Sequence, residues 1–337
     1  MLYITTRDNK DAYTSYRTLG ENRGPDGGLF LPFRIPKLDR DVIRALEKKG
    51  FSQTVADILN LFFNARLDGW DVDFCIGRYP TKMVPMSHRI TVAEVWHNPD
   101  YDFARIVRNL SGRIRGTQDT DDQPTNWAWI SIRIAFLFAM YGELCRMEFT
   151  DPDHPLDVAM PSGDFAAPMA AWYAREMGLP IGTIICSCDS DDPAWDLLHH
   201  GEMSTGGSVT IPSDLERLIF STLGLDETRR YLERVGKKRP YHPPEEGLDD
   251  LRRGIFPAVI SRKRGSSMIG SVYNTSTYIL DPASAIAYGG LQDYRALAGG
   301  TRPALILAER SPFCSAETVA AAMGITVDAL KERLKIN

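Results

Sequence analysis

The sequence predicts an α/β protein, in which a mostly parallel sheet has helices on both faces. Short apolar runs typical of buried strands alternate along the chain with longer apolar or amphipathic runs typical of helices. Strands that alternate with helices in this way form parallel sheets through crossover connections. The 337 residues, 43% hydrophobic and 25% charged, supply a core for one large domain or two ordinary ones.

The first third of the chain predicts one strand, two helices and a loop. Asp26, Gly27 and Gly28 supply a tight turn before the apolar run at 29–32, which predicts a strand. Residues 38–66 repeat apolar side chains at i, i+3 and i+4, which predicts two amphipathic helices. Residues 111–125 are polar, without periodicity and rich in turn formers, so we predict a loop there.

From Asn126 onward, strands and helices alternate. Residues 126–145 form the most apolar run, but Arg133 interrupts it, so we predict a buried helix and no membrane span. Strands are predicted to begin at residues 156, 181 and 303. Further helices are predicted at 166–177, in the charged region 226–265, and after a turn within 271–294. Another is predicted to begin after Ser213, which would cap it with Glu216 three residues later. Two more helices are predicted after Ser315.

Charge and cysteine content indicate which binding partners and which cellular compartment to expect. A net charge of −5 argues against non-specific attraction to nucleic acid. The first ten residues are polar and lack the apolar core of a signal peptide. Five cysteines, an odd number without framework spacing, fit a reducing compartment. We therefore expect a cytoplasmic protein that binds neither nucleic acid nor membrane.

Five segments, in order along nearly the whole chain, carry a further signal: "YITTRDN" with "PDGGLFLP", "TNWAWI", "PSGDFAAPMAAWYAREMGLPIG", "SDLERLIF" and "YILDPASAIAYGG". They resemble segments of bacterial threonine synthases, which are pyridoxal-phosphate enzymes of the tryptophan-synthase-β type, or fold type II. The resemblance implies a tryptophan-synthase-β-like fold and a lyase family of amino-acid metabolism.

The resemblance places an alanine on the family's cofactor lysine. That family segment reads roughly "LFHGPTLAFKD", and residues 95–105 here read "VWHNPDYDFAR", so Ala104 falls on the lysine and Arg105 on the aspartate. A methyl group forms no Schiff base, and a guanidinium stays protonated and is not a usable amine nucleophile. Lys82 precedes the motif and is not expected to reach the site. The resemblance thus predicts a degenerate member of the family, a pseudoenzyme.

The resemblance also implies a missing subdomain. Between the lysine segment and the "NWAWI" helix, the family carries a smaller cofactor and substrate subdomain with a loop that holds the substrate carboxylate. Only residues 111–125 lie between them here, and fifteen residues cannot contain a βα subdomain. The predicted organisation is an N-terminal region at 1–110, a short replacement loop at 111–125, and a large α/β domain at 126–337.

Two more segments depart from the family. Its phosphate loop reads "SGNFG", so Asp164 and Ala166 replace an asparagine and a glycine; a carboxylate about 4 Å from a phosphate charge costs roughly 4 kcal/mol at an effective dielectric of about 20. Glu309 and Arg310 place charges where the family has small or neutral groups. The predicted vestigial pocket comprises His97, Asn98, Phe103, Ala104, Arg105, Ser162, Gly163, Asp164, Phe165, Ala166, Glu309 and Arg310.

A metal site is the main alternative suggested by the remaining motifs. Cys186 and Cys188 share one face of a predicted strand, and His199 and His200 follow. Closed zinc sites usually show two spaced ligand pairs, whereas "DSDDP" is an ordinary turn and helix entry. We therefore predict no metal site.

Three functions stay open. The first is a non-catalytic binding or interaction protein. The second is an enzyme with new chemistry in the same cleft, using Asp100, Arg105, Asp164 or Glu309, which a cluster of buried opposite charges would indicate. The third is a working pyridoxal-phosphate lyase with an unrecognised lysine. We expect no cofactor, an unidentified small-molecule ligand, and a homodimer or a complex with another protein that covers the face left by the missing subdomain.

Overall fold

This computed structural model describes residues 1–77, 81–86, 88–96, 103–121, 123–205 and 210–336, which contain two sheets, fourteen α-helices and three short 3-10 or π segments. The strands are β1 Leu2–Thr5, β2 Tyr13–Thr14, β3 Phe30–Pro32, β4 Lys82–Met86, β5 Ile90–Glu94, β6 Leu156–Pro161, β7 Ile181–Cys188, β8 Ile255–Val259 and β9 Ala304–Ala308. The helices are α1 Ser15–Gly20, α2 Arg40–Arg44, α3 Phe51–Phe63, α4 Gly69–Ile76, α5 Phe103–Arg115, α6 Trp127–Arg146, α7 Ala166–Glu176, α8 Pro193–Trp195, α9 Leu215–Gly236, α10 Glu245–Arg252, α11 Arg262–Ser276, α12 Pro282–Ala298, α13 Ala316–Met323 and α14 Val327–Ile336.

The larger sheet has six strands in the order β4-β5-β9-β6-β7-β8. Only β4 runs antiparallel to its neighbour, and the other pairs are parallel. The predicted fold class, a mostly parallel sheet flanked by helices, is confirmed. A second, three-stranded antiparallel sheet joins β2, β1 and β3 near the N-terminus.

Successive residues of the central strands enter two different hydrophobic cores. On β6, Val158 and Met160 belong to one cluster and Ala159 to the other. On β9, Leu305 belongs to the first cluster and Ile306 to the second. Because side chains alternate across a strand, each face of the sheet carries its own core, which explains why these strands read as continuous apolar runs.

The long apolar helix α6 lies in the interior, as predicted. Asn126 caps it, since its side-chain oxygen accepts a hydrogen bond from the Ala128 amide at 2.9 Å. The helix is long and apolar enough to span a membrane, but 89% of its apolar window is buried inside the protein. It packs between α3 on one side and α7 on the other.

Three local predictions need correction. The region 226–265 is not helical throughout, because β8 pairs with β7 there. The helix predicted to be capped by Ser213 begins at Leu215 with Asp214 as its N-cap, and Glu216 instead accepts bonds from Thr6 and Arg7. The helix α5 continues to Arg115, so the segment before α6 begins at residue 116 and not at 111.

The two edge strands of the large sheet each contain a proline. Pro85 lies in β4 and Pro257 in β8. Proline lacks the amide hydrogen that an inner strand needs, and at an edge it discourages pairing with another chain. The predicted domain boundary at residue 110 stays a prediction, and β4 and β5, which precede it, belong to the same sheet as the later strands.

Candidate functional site

A cavity of about 420 Å³ opens at the carboxyl ends of β6 and β9. In parallel α/β sheets, ligands bind at this edge, because the loops that follow the strands converge there. The cavity is lined by Phe103, Ala104, Pro124, Trp129, Arg133, Met160, Pro161, Gly163, Asp164, Ala167, Asp281, Ala283, Leu307, Glu309 and Arg310. We call this cavity the cleft.

Ala104 lies in the first turn of α5 and lines the cleft. Its methyl group places no functional atom there, and no lysine lines the cleft among the residues that the structure describes. Lys82 lies outside it, on β4, where its Nζ is 3.7 Å from a carboxylate oxygen of Glu94. The sequence has no lysine at all between Lys82 and Lys237.

A buried ion pair between Arg133 and Glu309 forms one wall of the cleft. The Arg133 Nε and Nη2 atoms donate to the two Glu309 carboxylate oxygens at 2.6 and 2.8 Å. The Arg133 side chain is 8% exposed and that of Glu309 26%. Burial lowers the pKa of Arg133, but the charge and hydrogen bonds of Glu309 outweigh it and leave this pKa raised. The Arg133 guanidinium therefore stays protonated.

Aromatic rings hold the Arg133 guanidinium in place. Its central carbon lies 4.6 Å from the centroid of the Phe103 ring and 5.2 Å from that of Trp129. Such cation–π contacts contribute about 0.5–2 kcal/mol when the cation is desolvated. The two rings and Glu309 together restrict the position of the guanidinium at the cleft.

The loop before α7 contributes Gly163 and Asp164 to the cleft. Asp164 caps the helix, because its Oδ1 accepts from the Ala166 amide at 3.0 Å. Phe165, at φ 69°, lies in the left-handed region, which is strained for a bulky side chain. Gly163 also has a positive φ, and a Cβ there would meet no atom within 4 Å. The loop therefore turns sharply and leaves open space beside the start of a helix.

A second buried ion pair lies behind this loop, between Asp214 and Arg217 in the first turn of α9. The Asp214 amide donates to the Asp164 carbonyl oxygen at 3.1 Å, which ties the start of α9 to the cleft. Burial raises the pKa of Asp214 to about 6, although the Arg217 charge lowers it. Both side chains are fully inaccessible to solvent.

The structure brings together half of the twelve predicted pocket residues: Phe103, Ala104, Gly163, Asp164, Glu309 and Arg310 line the cleft. Ser162 instead donates to Asp192, and Phe165 and Ala166 are fully buried in the protein interior. Arg105 is exposed on α5 and does not line the cleft. His97 and Asn98, like Asp100, lie outside the described residues.

Sequence reasoning missed Arg133, Trp129 and Asp281 as cleft residues. An arginine within an otherwise apolar helix was the available signal, because a buried charge requires a partner. Asp281 caps α12, since its Oδ1 accepts from the Ala283 amide at 2.9 Å. Its pKa is raised by burial, although its hydrogen bonds act in the opposite direction.

The predicted absence of a metal site stays a prediction. Cys186 and Cys188 are buried with their sulfur atoms 4.0 Å apart. Across the described ranges, no three His, Cys, Asp or Glu side chains come together in a way that could hold a metal ion.

Comparison with known proteins identifies relatives of most of the chain and a family model for its N-terminal part. Residues 2–78 match the family model described as "Threonine synthase N terminus". The human protein threonine synthase-like 2 is 20% identical over 397 residues, covering 85% of this chain and 82% of that protein. Human threonine synthase-like 1 is 25% identical over 201 residues, which are 56% of this chain. The chain spans 26% of the length of that relative.

Among solved structures, the pyridoxal-phosphate-bound threonine synthase from Brucella melitensis matches with a TM-score of 0.84 at 21% identity. The match covers 96% of this chain and 92% of the Brucella chain. The predicted resemblance and fold, that of the threonine synthases and of fold type II, are confirmed. The predicted loss of the smaller subdomain is not confirmed by this coverage and stays a prediction.

The expectation that the chain has no cofactor is wrong. The Brucella threonine synthase shares this fold over 96% of the chain, and that protein binds pyridoxal phosphate. The grounds for the expectation were Ala104, the missing subdomain, the altered phosphate loop and the charges at Glu309 and Arg310, and none of them excludes a cofactor that is held without a covalent bond.

Proposed function

We propose that this chain, which has the threonine synthase fold and a matching N-terminal segment, is a binding protein that takes a small anionic molecule into the cleft without covalent chemistry. One observation carries the proposal: Ala104, on which the sequence resemblance places the family's lysine, lines the cleft. Because function depends on the site and not on the fold, a threonine synthase fold without that amine supports binding over lyase chemistry.

Pyridoxal phosphate fits this cleft only in part. The open space at Gly163, beside the start of α7, leaves room for an anionic group near a helix N-terminus. However, the carboxylate of Asp164 occupies the Ala166 amide and repels a phosphate. Ala104 supplies no amine. The residues therefore do not fit a cofactor that is bound covalently at residue 104.

The carboxylates of the cleft already have structural partners. Glu309 accepts two hydrogen bonds from Arg133, Asp164 caps α7, and Asp281 caps α12. A carboxylate held in this way is poorly suited to accept a proton from a substrate, since proton transfer needs a group with free acceptor capacity and a matched pKa. This argues for binding over general acid–base catalysis.

Arg310 is the cleft residue that is available to a ligand. Its side chain is exposed, lines the cleft and forms no hydrogen bond or ion pair within the described part of the chain. A guanidinium offers planar, paired donors that match carboxylates and phosphates. We infer that Arg310 binds the anionic group and that the apolar side chains Met160 and Leu307 contact the rest of the molecule.

A thermal-shift screen tests this proposal. We expect one or more of the phosphorylated metabolites, amino acids and nucleotides to raise the melting temperature by several degrees at saturating concentration, by binding linkage. The Arg310→Met variant is expected to raise the Kd of that ligand about 10- to 100-fold, because hydrogen bonds to charged groups contribute about 1.5–3 kcal/mol. The exposed Arg262→Met variant is the matched control and should bind normally. If no anion stabilises the protein, or if Arg310→Met binds as tightly as the parent, the proposal is wrong.

A second function has one observation in its favour. The buried Arg133–Glu309 pair is the kind of opposite-charge cluster that active sites contain. An enzyme with new chemistry would convert the stabilising ligand, so incubation of ligand with protein followed by mass spectrometry separates the two functions. Unchanged ligand supports binding, and a product that Glu309→Gln abolishes supports catalysis.

A cytoplasmic location is part of the proposal.

A further inference from the structure

The two partners of the ion pair in the cleft wall are held unequally. Arg133 belongs to the buried helix α6, and its guanidinium lies against the rings of Phe103 and Trp129. Its Nη1 also donates to the Trp129 carbonyl oxygen at 3.5 Å. These contacts come from packed helices and do not involve Glu309. The guanidinium is therefore held in place independently of the anion that it faces.

Glu309 has less support. It is the first residue after β9, and within the described part of the chain its carboxylate accepts hydrogen bonds from Arg133 alone. Its side chain lines the cleft and is 26% exposed. By contrast, the carboxylate of Glu216, 7% exposed, has both Thr6 and Arg7 as partners. The Glu309 carboxylate can thus leave Arg133 with the loss of one partner and with water close by.

The geometry of the pair is that of a carboxylate receptor. The Arg133 Nε and Nη2 atoms reach the two Glu309 oxygens at 2.6 and 2.8 Å, the paired arrangement that a guanidinium forms with a free carboxylate. Because Arg133 lines the cleft, a carboxylate that enters it meets the same donors once Glu309 has turned away. A buried guanidinium without an anion is costly, so the incoming carboxylate restores the interaction that Glu309 gives up.

A carboxylate suits this position better than a phosphate. Glu309 shows that a planar group with a single charge is accommodated beside Arg133. The charge of Asp164, which also lines the cleft, acts on Arg133 as well. A dianionic phosphate would place a second negative charge within reach of Asp164, whereas a carboxylate carries the single charge that Arg133 already accepts.

From these features we propose that Arg133 recognises a carboxylate of the bound molecule, and that Glu309 is an internal ligand that occupies Arg133 in the empty protein and yields it on binding. The inference rests on the proposed function in one respect, that a small anion enters the cleft, and it adds Arg133 to Arg310 as a second anion-binding group. Because Glu309 competes for Arg133, only carboxylates that gain further contacts in the cleft bind tightly.

Thermal shift with acetate tests whether Arg133 is a carboxylate receptor. The Glu309→Ala variant lacks one methylene and the carboxylate, which are the atoms that acetate supplies. At constant pH and ionic strength, we expect acetate to raise its melting temperature with a Kd of about 1–10 mM, the value for two hydrogen bonds to charged groups. Neutral acetamide should have no effect, and inorganic phosphate should act more weakly than acetate. The double variant Arg133→Met/Glu309→Ala is the matched control and should not respond to acetate.

The parent protein tests whether Glu309 yields. We expect acetate to stabilise the parent as well, with a Kd about 10- to 50-fold higher than in Glu309→Ala, because Glu309 occupies the receptor for most of the time. The Arg310→Met variant should keep this response, since Arg310 belongs to the other anion-binding group. The parent and Arg310→Met decide the question even if Glu309→Ala does not fold.

Three results overturn the inference. One is a folded Glu309→Ala variant that responds to acetate no more than the double variant does. Another is a parent that about 0.5 M acetate stabilises no more than chloride of equal ionic strength, since Glu309 is then a permanent part of the wall. Both leave the Arg310 test of the proposed function as it stands. The third is a parent response that Arg310→Met abolishes, which places acetate on Arg310 and supports the proposed function alone.

Discussion

Replacing Glu309 by alanine is expected to lower the free energy of unfolding by about 2–4 kcal/mol. Removing one partner of a buried ion pair typically costs about 3–5 kcal/mol, because the other charge stays buried without compensation. We expect a smaller loss here, since the Glu309 side chain is 26% exposed and water in the cleft can solvate Arg133 in part. Urea denaturation followed by circular dichroism measures the change.

The matched control is Glu233→Ala on α9. Glu233 pairs with Lys237, and both side chains are more than half exposed, so its removal should leave the urea midpoint nearly unchanged. Glu309→Gln keeps an acceptor for Arg133 and should lose less stability than Glu309→Ala. If Glu309→Ala is as stable as the parent, the assignment of Arg133 and Glu309 as a stabilising buried ion pair is wrong.

Replacing Arg217 by leucine is expected to cost about 3–5 kcal/mol, the largest effect of a single substitution that we predict. Arg217 is fully buried and donates to the carbonyl oxygens of Phe30 at 3.0 Å and Thr125 at 2.8 Å, in addition to its pair with Asp214. It therefore joins three segments that are distant in sequence. Its loss leaves the Asp214 carboxylate and both carbonyls without their partner.

Denaturation by urea at pH 7 measures this loss, and Arg229→Leu in the same helix is the control. Arg229 forms only an exposed pair with Asp226, so its replacement should change stability little. Since Asp214 has a raised pKa, acidification toward pH 5 should neutralise it and recover part of the stability of Arg217→Leu. A variant as stable as the parent, or one whose loss grows on acidification through this range, contradicts the account.

The architecture follows from local patterns in most of the chain. The strands β6, β7 and β9 and the helix α6 are predicted correctly, because apolar runs of strand and helix length alternate there. The pairing of β5 with β9 is not predictable in this way, since the two strands are about two hundred residues apart. The strand β8 is not predicted, because a proline such as Pro257 usually indicates the end of a strand. The proline is tolerated because β8 lies at the edge of the sheet.

The cleft is predictable as far as the family resemblance extends. Ala104, Gly163 and Glu309 were placed by motif spacing, and the structure puts all three around one cavity. The partner of Glu309 was not predictable, because Arg133 is 176 positions away and the periodicity of α6 gives only the fact that it is buried. Ser162 lies in the segment that resembles the family's phosphate loop, but it does not line the cleft, since its hydroxyl donates to Asp192.

The chemistry at residue 104 is tested most directly by treating the protein with pyridoxal phosphate and borohydride and then mapping the modified lysines by mass spectrometry. The account predicts no lysine modified at a stoichiometry of one and no absorbance band near 410–430 nm before reduction. In the Ala104→Lys variant, it predicts modification at residue 104, and Ala104→Met, of similar length but without an amine, should behave like the parent. One native lysine modified to completion together with that band would contradict the account.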